Sequence, residues 1–191
     1  QNFGGVPGTP SPVTVTNSAS TLALSYGGTG EFAEINVVNI LANTTFGIGT
    51  SLALDTTSAS ATLNTTLGNG VNAPQNLIKM GGNTLTLTGA NTYTGITTLT
   101  PDMNGGGVLV AGVAEVAGTS GPFGNPTTPA NSILFNGAAL GWSAANTTDY
   151  SPRFAINSGK NFGFNTGAQT VTLASVLPVN GVNGLTKSGS G

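Results

Sequence analysis

A chain of 191 residues with 38% hydrophobic content is long enough for a core of its own, so neither disulfides nor metals are required on grounds of size. Only 5% of residues are charged, against about 25% in ordinary soluble domains, and 30 are glycine, which leaves Thr, Ser, Asn and small residues to cover the surface. A net charge of −2 with no run of Lys or Arg excludes the footprint of a nucleic-acid or anionic-membrane binder, and the lack of His and Cys excludes Ser-His-Asp and Cys-His nucleophiles and the usual zinc sites.

Pro7, Pro10 and Pro12 remove backbone donors from residues 1–12, which read as an extended arm or linker. These residues lack a basic, apolar leader, so a mature chain or a fragment is expected. Alternating strands follow at Val13–Thr16 and Thr21–Tyr26. Ile35–Leu41 fits a strand buried on both faces or a short helix; its β-branched residues, its asparagines and the lack of caps favour strand. Thr44–Ile48, Ser51–Asp55 and Ser60–Leu63 are short strands separated by turn residues.

The stretch Asn76–Gly95 sets the pattern. Leu85 and Leu87 fall on one face of Thr84–Thr88, with three hydroxyls on the other; Gly89-Ala90-Asn91 makes a corner, and Thr92–Thr94 reads as a short strand before Gly95. Then come Ile96–Thr100, Val108–Val110, and a Gly- and Pro-rich excursion over Gly118–Pro129. Ile133–Phe135, Ala138–Trp142, Phe154–Ile156, Asn161–Asn165, Thr170–Leu173 and Leu185–Lys187 complete the strands, with no convincing helix. Nor is there any run of about 18 apolar residues, so no membrane insertion is expected of this segment.

Gly49–Leu67 aligns with Gly159–Leu177 at an offset of about 110 residues, pairing Leu52 with Phe162, Leu54 with Phe164, Thr56 with Thr166 and Leu63 with Leu173. Gly70-Val71-Asn72 recurs as Gly181-Val182-Asn183, and Leu77, Lys79 and Gly81 recur as Leu185, Lys187 and Gly189. Residues 13–191 thus hold somewhat less than two copies of a long unit, the second motif restarting at Leu185. Either further repeats or a neighbouring subunit is expected to continue the open end.

The residues from Leu77 to Leu99, with Leu77, Lys79, Gly81, Leu85, Leu87, Gly89, Asn91, Tyr93 and Gly95 as landmarks, resemble the autotransporter-associated β-strand repeat of bacterial surface passengers and long secreted proteins. Ile96, where that pattern usually has a second glycine, and the longer turn after Pro101 depart from it. The resemblance implies an all-β, right-handed parallel β-solenoid displayed outside the cell. At about 20 to 25 residues per coil it would stack eight or nine rungs into roughly 40 Å of rod. A β-sandwich with long loops is the alternative fold.

The expected function is a non-catalytic structural or adhesive module, extracellular or on the bacterial outer surface, with no cofactor. The alternatives are a self-assembling filament subunit and a carbohydrate-binding or carbohydrate-cleaving β-helix. Acid–base chemistry would have to use Glu31, Glu34, Asp55, Asp102, Glu115 and Asp149 with Lys79, Lys160, Lys187 and Arg153, of which only Glu31 and Glu34 are near in sequence, and the charges lie singly beside turns. Lys79 and Lys187 read as solvated turn charges. Trp142 and Tyr150 flank a loop and form a candidate sugar platform, with core packing as its alternative. Expected partners are copies or continuations of the same chain, and surface glycans. Asn43, Asn64 and Asn146 begin N-glycosylation sequons. The Asn-Gly pairs at Asn69, Asn104, Asn136 and Asn180 read as turns, and recurring Thr and Asn as candidate hydrogen-bonded ladders.

Overall fold

The computed structural model describes residues 13–68, 73–103, 105–178 and 184–191. The arm over residues 1–12, both copies of the Gly-Val-Asn recurrence and the Asn-Gly pairs at Asn69, Asn104 and Asn180 lie wholly or partly outside them. The chain is mostly β. In order, the strands are β1 (Val13–Val15), β2 (Thr21–Ser25), β3 (Thr44–Phe46), β4 (Ser51–Asp55), β5 (Ala61–Leu63), β6 (Asn76–Met80), β7 (Thr84–Leu87), β8 (Thr97–Leu99), β9 (Val108–Ala111), β10 (Ile133–Phe135), β11 (Ala139–Gly141), β12 (Phe154–Ile156), β13 (Asn161–Asn165) and β14 (Gly184–Ser188). A helix, α1 (Glu34–Ala42), lies between β2 and β3, and a 3₁₀ turn at Ser151–Arg153 precedes β12.

Two six-stranded sheets run β2-β4-β6-β8-β10-β12 and β5-β7-β9-β11-β13-β14, and β1 pairs with β3 in a short third sheet. Every pairing is parallel, unlike the antiparallel sheets of a sandwich. A parallel pair needs a long crossover. Here, from β4 to β13, the crossover of each sheet contains a strand of the other, because the chain visits the two sheets alternately.

Register aligns the apolar positions from strand to strand. Leu22, Leu52, Leu77, Thr97, Ile133 and Phe154 form one row of the first sheet, and Leu24, Leu54, Lys79, Leu99, Phe135 and Ile156 the next. In the second sheet Ala61, Leu85, Leu109, Leu140, Phe164 and Lys187 are in line. Apart from Thr97, Lys79 and the half-buried Ala61, the row positions from β4 to β11 are buried aliphatic or aromatic side chains. Near the β12–β13 end the core turns aromatic, with Phe135 set edge-on to Phe154, Phe162 and Phe164 at 4.9–5.7 Å between centroids.

Several expectations are corrected. Ile35–Leu41 is helical, because Val37, Ile40 and Leu41 fall at i, i+3, i+4 and pack on the core while Ile35 stands 63% exposed. Asn36 Oδ1 accepts from Ala33 N–H at the helix start. Thr92–Thr94 forms no strand; instead Asn91 bridges antiparallel to Gly121 in the excursion. Thr170–Leu173 runs beside the core, with Val171 and Leu173 partly buried, but joins neither sheet. Six strands at about 4.8 Å spacing span roughly 24 Å, short of the expected 40 Å. α1 and the excursion take up about one expected coil's length of chain, which is part of that difference.

Candidate functional site

Rare charges mark two polar centres. The first is a corner shared by two neighbouring strands, with Asp55 ending β4 and Lys79 near the end of β6. Leu77 and Lys79 share a strand face, so both point inward and both are fully buried. Lys79 is therefore not the solvated charge expected of it. Its Nζ donates to the carbonyls of Met80, at 3.0 Å, and Gly81. Burial pulls the ammonium down to about 8, against the attraction of Asp55 and Asp102. Gly81 sits at φ +85, and a Cβ there would strike the Thr57 backbone nitrogen.

The corner recurs in the second copy. Thr56 N–H donates to Met80 O at 3.0 Å, and Thr166 N–H to Ser188 O at 3.1 Å. Asp55 Oδ1 accepts from Thr57 N–H as Asn165 Oδ1 does from Gly167 N–H. Lys187 Nζ donates to Gly189 O as Lys79 does to Gly81 O. Gly189 repeats the left-handed φ at +83. The copies lie in different sheets, β4–β6 in the first and β13–β14 in the second, and they differ in exposure. Leu77 and Lys79 are sealed under β8, whereas Leu185 is 59% exposed and Lys187 is exposed.

The remaining motif positions hold the chain to itself. Leu85, Leu87 and Tyr93 are buried, with Tyr93 Oη 2.6 Å from Thr97 Oγ1. Asn91, also buried, accepts from Leu67 N–H through Oδ1 and donates through Nδ2 to Pro122 O, each at 2.7 Å. Gly89 and Gly95 leave room for the Thr65 carbonyl and the Asn76 side chain. The expected ladders exist in part: Asn157 Nδ2 donates to Asn136 Oδ1 at 3.0 Å, and Asn136 Nδ2 to Thr100 Oγ1 at 3.4 Å.

The second centre clasps the excursion. Arg153 Nη1 pairs with Glu115 Oε1 at 3.3 Å, Nε donates to Ser132 Oγ at 2.9 Å, and Nη2 donates to Phe123 O. Tyr150 Oη donates to Glu115 Oε2 at 2.9 Å. Burial pushes the Glu115 carboxyl up, against the Tyr150 hydrogen bond and the Arg153 charge. Burial and the nearby carboxylate raise the Tyr150 phenol likewise. Glu115 and Arg153 lie far apart in the chain, and no spacing announces their pairing; their only signal is that both are charges in a chain with few.

Tyr150 is 1% and Trp142 4% exposed, so neither offers an open face to a sugar. Tyr150 stands edge-on to Phe123 at 4.9 Å, and Trp142 edge-on to Phe164 at 5.8 Å with Nε1 donating to Thr148 O. Buried Asn146 spends its Nδ2 on Val113 O and Tyr150 Oη, which rules its sequon out as an acceptor in the folded chain. Asn43 and Asn64 are exposed, with their amides on Asn39 O and Glu34.

Glu31 and Glu34 turn to different partners. Glu31 accepts from Gly28 N–H and Ser58 Oγ. Glu34 accepts from the backbone and side chains of Asn64 and Thr65; its small burial pushes the carboxyl up, and these four hydrogen bonds outweigh it and hold the group low. Among the described residues no cluster of three or more acidic side chains is placed to hold a metal, and no helix is long and apolar enough to cross a membrane. Comparison of the chain with protein-family models, curated proteins and solved structures returns no match.

Proposed function

We propose that this chain is a non-catalytic structural or adhesive module of an extracellular bacterial repeat protein, wound as a right-handed parallel β-solenoid. The observation that carries the reading is the alternation of successive strands between two all-parallel sheets, with inward residues stacked row on row. Such a body grows by adding coils. The distribution of polar groups supports the non-catalytic part. Lys79, Glu34, Glu115 and Arg153 each bind the chain to itself. The resemblance of Leu77–Leu99 to the autotransporter-associated repeat supports the extracellular setting, as does a sequence without a thiol to oxidise.

Small-angle scattering combined with incubation on a polysaccharide panel tests the reading. The expected result is a particle whose cross-section stays constant along its long axis and that leaves every polysaccharide intact. Cleavage that is lost on Glu31→Gln or Glu34→Gln would overturn it in favour of a carbohydrate-active β-helix.

A further inference from the structure

An asparagine carries its amide carbon where the main-chain nitrogen of the next residue reaches it by closing a five-membered ring, and a glycine in that next place has no Cβ to crowd the approach. Asn136-Gly137 is the one Asn-Gly pair that lies wholly within the described residues, in the turn from β10 to β11. Gly137 takes φ +114, and a Cβ on it would stand 3.2 Å from the Pro101 ring and 3.8 Å from Cδ of Lys160. The turn is pinned on both flanks, since Leu99 O accepts from Asn136 N–H at 3.0 Å and from Ala138 N–H at 3.4 Å. Between them, Gly137 N–H donates to no described residue.

The Asn136 side chain is held as well. Asn157 Nδ2 donates to its Oδ1 at 3.0 Å, and its own Nδ2 lies 3.4 Å from Thr100 Oγ1. The first contact sets a fixed donor on the oxygen that gains negative charge when the amide carbon is attacked, which stabilises the intermediate. The second sets a hydroxyl beside the nitrogen that must leave. Asn157 is exposed and Asn136 half-buried, so water has access to the pair.

We propose that Asn136 is a self-modification site, at which the folded chain converts its own asparagine to an acid. Gly137 N gives up its proton to water and bonds to Asn136 Cγ. The bond from Cγ to Nδ2 then breaks, and the nitrogen takes up a proton and departs as ammonia. Water opens the cyclic imide at either carbonyl, to aspartate or to the isomer whose main chain runs through the former side chain. Water is the only co-reactant and nothing is oxidised or reduced. Asn157 acts as a positioning residue through its bond to Oδ1. The ladder keeps an aspartate once formed: Asn157 still donates to it, the Thr100 hydroxyl turns from acceptor to donor, and the exposed Lys160, whose stem passes Gly137, supplies positive charge nearby. In a chain of net charge −2 the change adds one further negative charge and does not reverse. This inference goes beyond the proposed structural role and stands without it.

Peptide mapping by mass spectrometry tests it, reading the amide-to-acid mass gain at residue 136 in the full chain kept folded at pH 8 and, in parallel, unfolded in urea. Acid is expected to accumulate at this residue in the folded chain. Asn157→Ala is expected to slow that conversion severalfold when folded and to change nothing in urea, where the ladder is gone. Circular dichroism checks folding; should Asn157→Ala fail to fold, Asn157→Asp offers the same shape without the donor. Asn136→Asp, made directly, is expected to melt with the wild type. A residue 136 that stays an amide in the folded chain while the urea sample converts overturns the inference. So does a folded Asn157 variant that converts as fast as the wild type or faster, or an Asn136→Asp chain that does not fold.

Discussion

Lys79 gives the inward-stacking argument its sharpest test. Its ammonium is buried in a row otherwise made of Leu24, Leu54, Leu99, Phe135 and Ile156, and it falls from 10.5 to about 8. Between those values the unfolded chain carries a proton at this position that the folded chain has released, so stability rises with pH across the window. From pH 7 to 9.5 the gain is about 2 kcal/mol, which in a domain of this size raises Tm by roughly 4–8 °C. Three buried tyrosines pull the other way. Burial lifts Tyr26 to about 12 and raises Tyr93 and Tyr150 as well, so each sheds stability as pH climbs above 10. Below pH 9.5 that loss is only a few tenths of a kcal/mol per ring. Thermal unfolding by circular dichroism should therefore show a maximum near pH 10. Lys79→Met removes the charge and leaves the Met80 and Gly81 carbonyls without this donor, at about 1–3 kcal/mol each, roughly offsetting the desolvation relieved at neutral pH. The variant should match the wild type at pH 7 and lack its rise. An equal rise in Lys79→Met, or a flat wild-type profile, would refute the burial of this amine.

Arg153→Met should cost about 3 kcal/mol in urea unfolding, because Glu115 is left in a partly buried site without its partner, and should expose the Gly118–Pro126 stretch to limited proteolysis. Unchanged protease resistance would mean that the excursion is held by Asn91 and Phe123 alone. Gly81→Ala should cost about 2–4 kcal/mol, since a left-handed residue gains a Cβ directed at the Thr57 backbone. Gly30→Ala shares the left-handed φ, at +78, but has open space around it, so roughly 1 kcal/mol is expected from the same urea titration. Equal costs would remove the close approach from the account.

Strands whose alternation is bounded by turn residues were legible to the residue: Ser51–Asp55, Ile133–Phe135, Phe154–Ile156 and Asn161–Asn165 stand where the pattern puts them. The helix was not, because Ile35–Leu41 carries apolar residues at both periods. What selects the helix is the packing of Val37, Ile40 and Leu41 on a core supplied by distant strands, with Glu34 tied to Asn64 and Thr65 some thirty residues later. Lys79 is a different case. Its place two residues after Leu77 put it on the inner face from the start, and the general rarity of buried lysine argued against what the strand period said. For Trp142 and Tyr150 the sequence supplied a loop between aromatic residues but not the side chains of Phe164 and Phe123 that close over them. The clasp between Glu115 and Arg153 depends on how the excursion folds back, a geometry with no local signature.

The exchange of sheets between the two copies bears on how such a body can be extended. The unit of β4 and β6 sits in the first sheet, and its counterpart of β13 and β14 in the second, with the same corner hydrogen bonds in both places. A motif that works on either sheet cannot depend on features peculiar to one. Its requirements reduce to an inward Leu or Phe pair, a lysine able to reach the carbonyl two residues on, and a left-handed glycine at the corner. Because the copies are out of phase with the two-sheet alternation, the same corner serves a first-sheet pair and a second-sheet pair alike, with strand register kept in each. Sheets that each demanded a corner of their own would forbid that exchange.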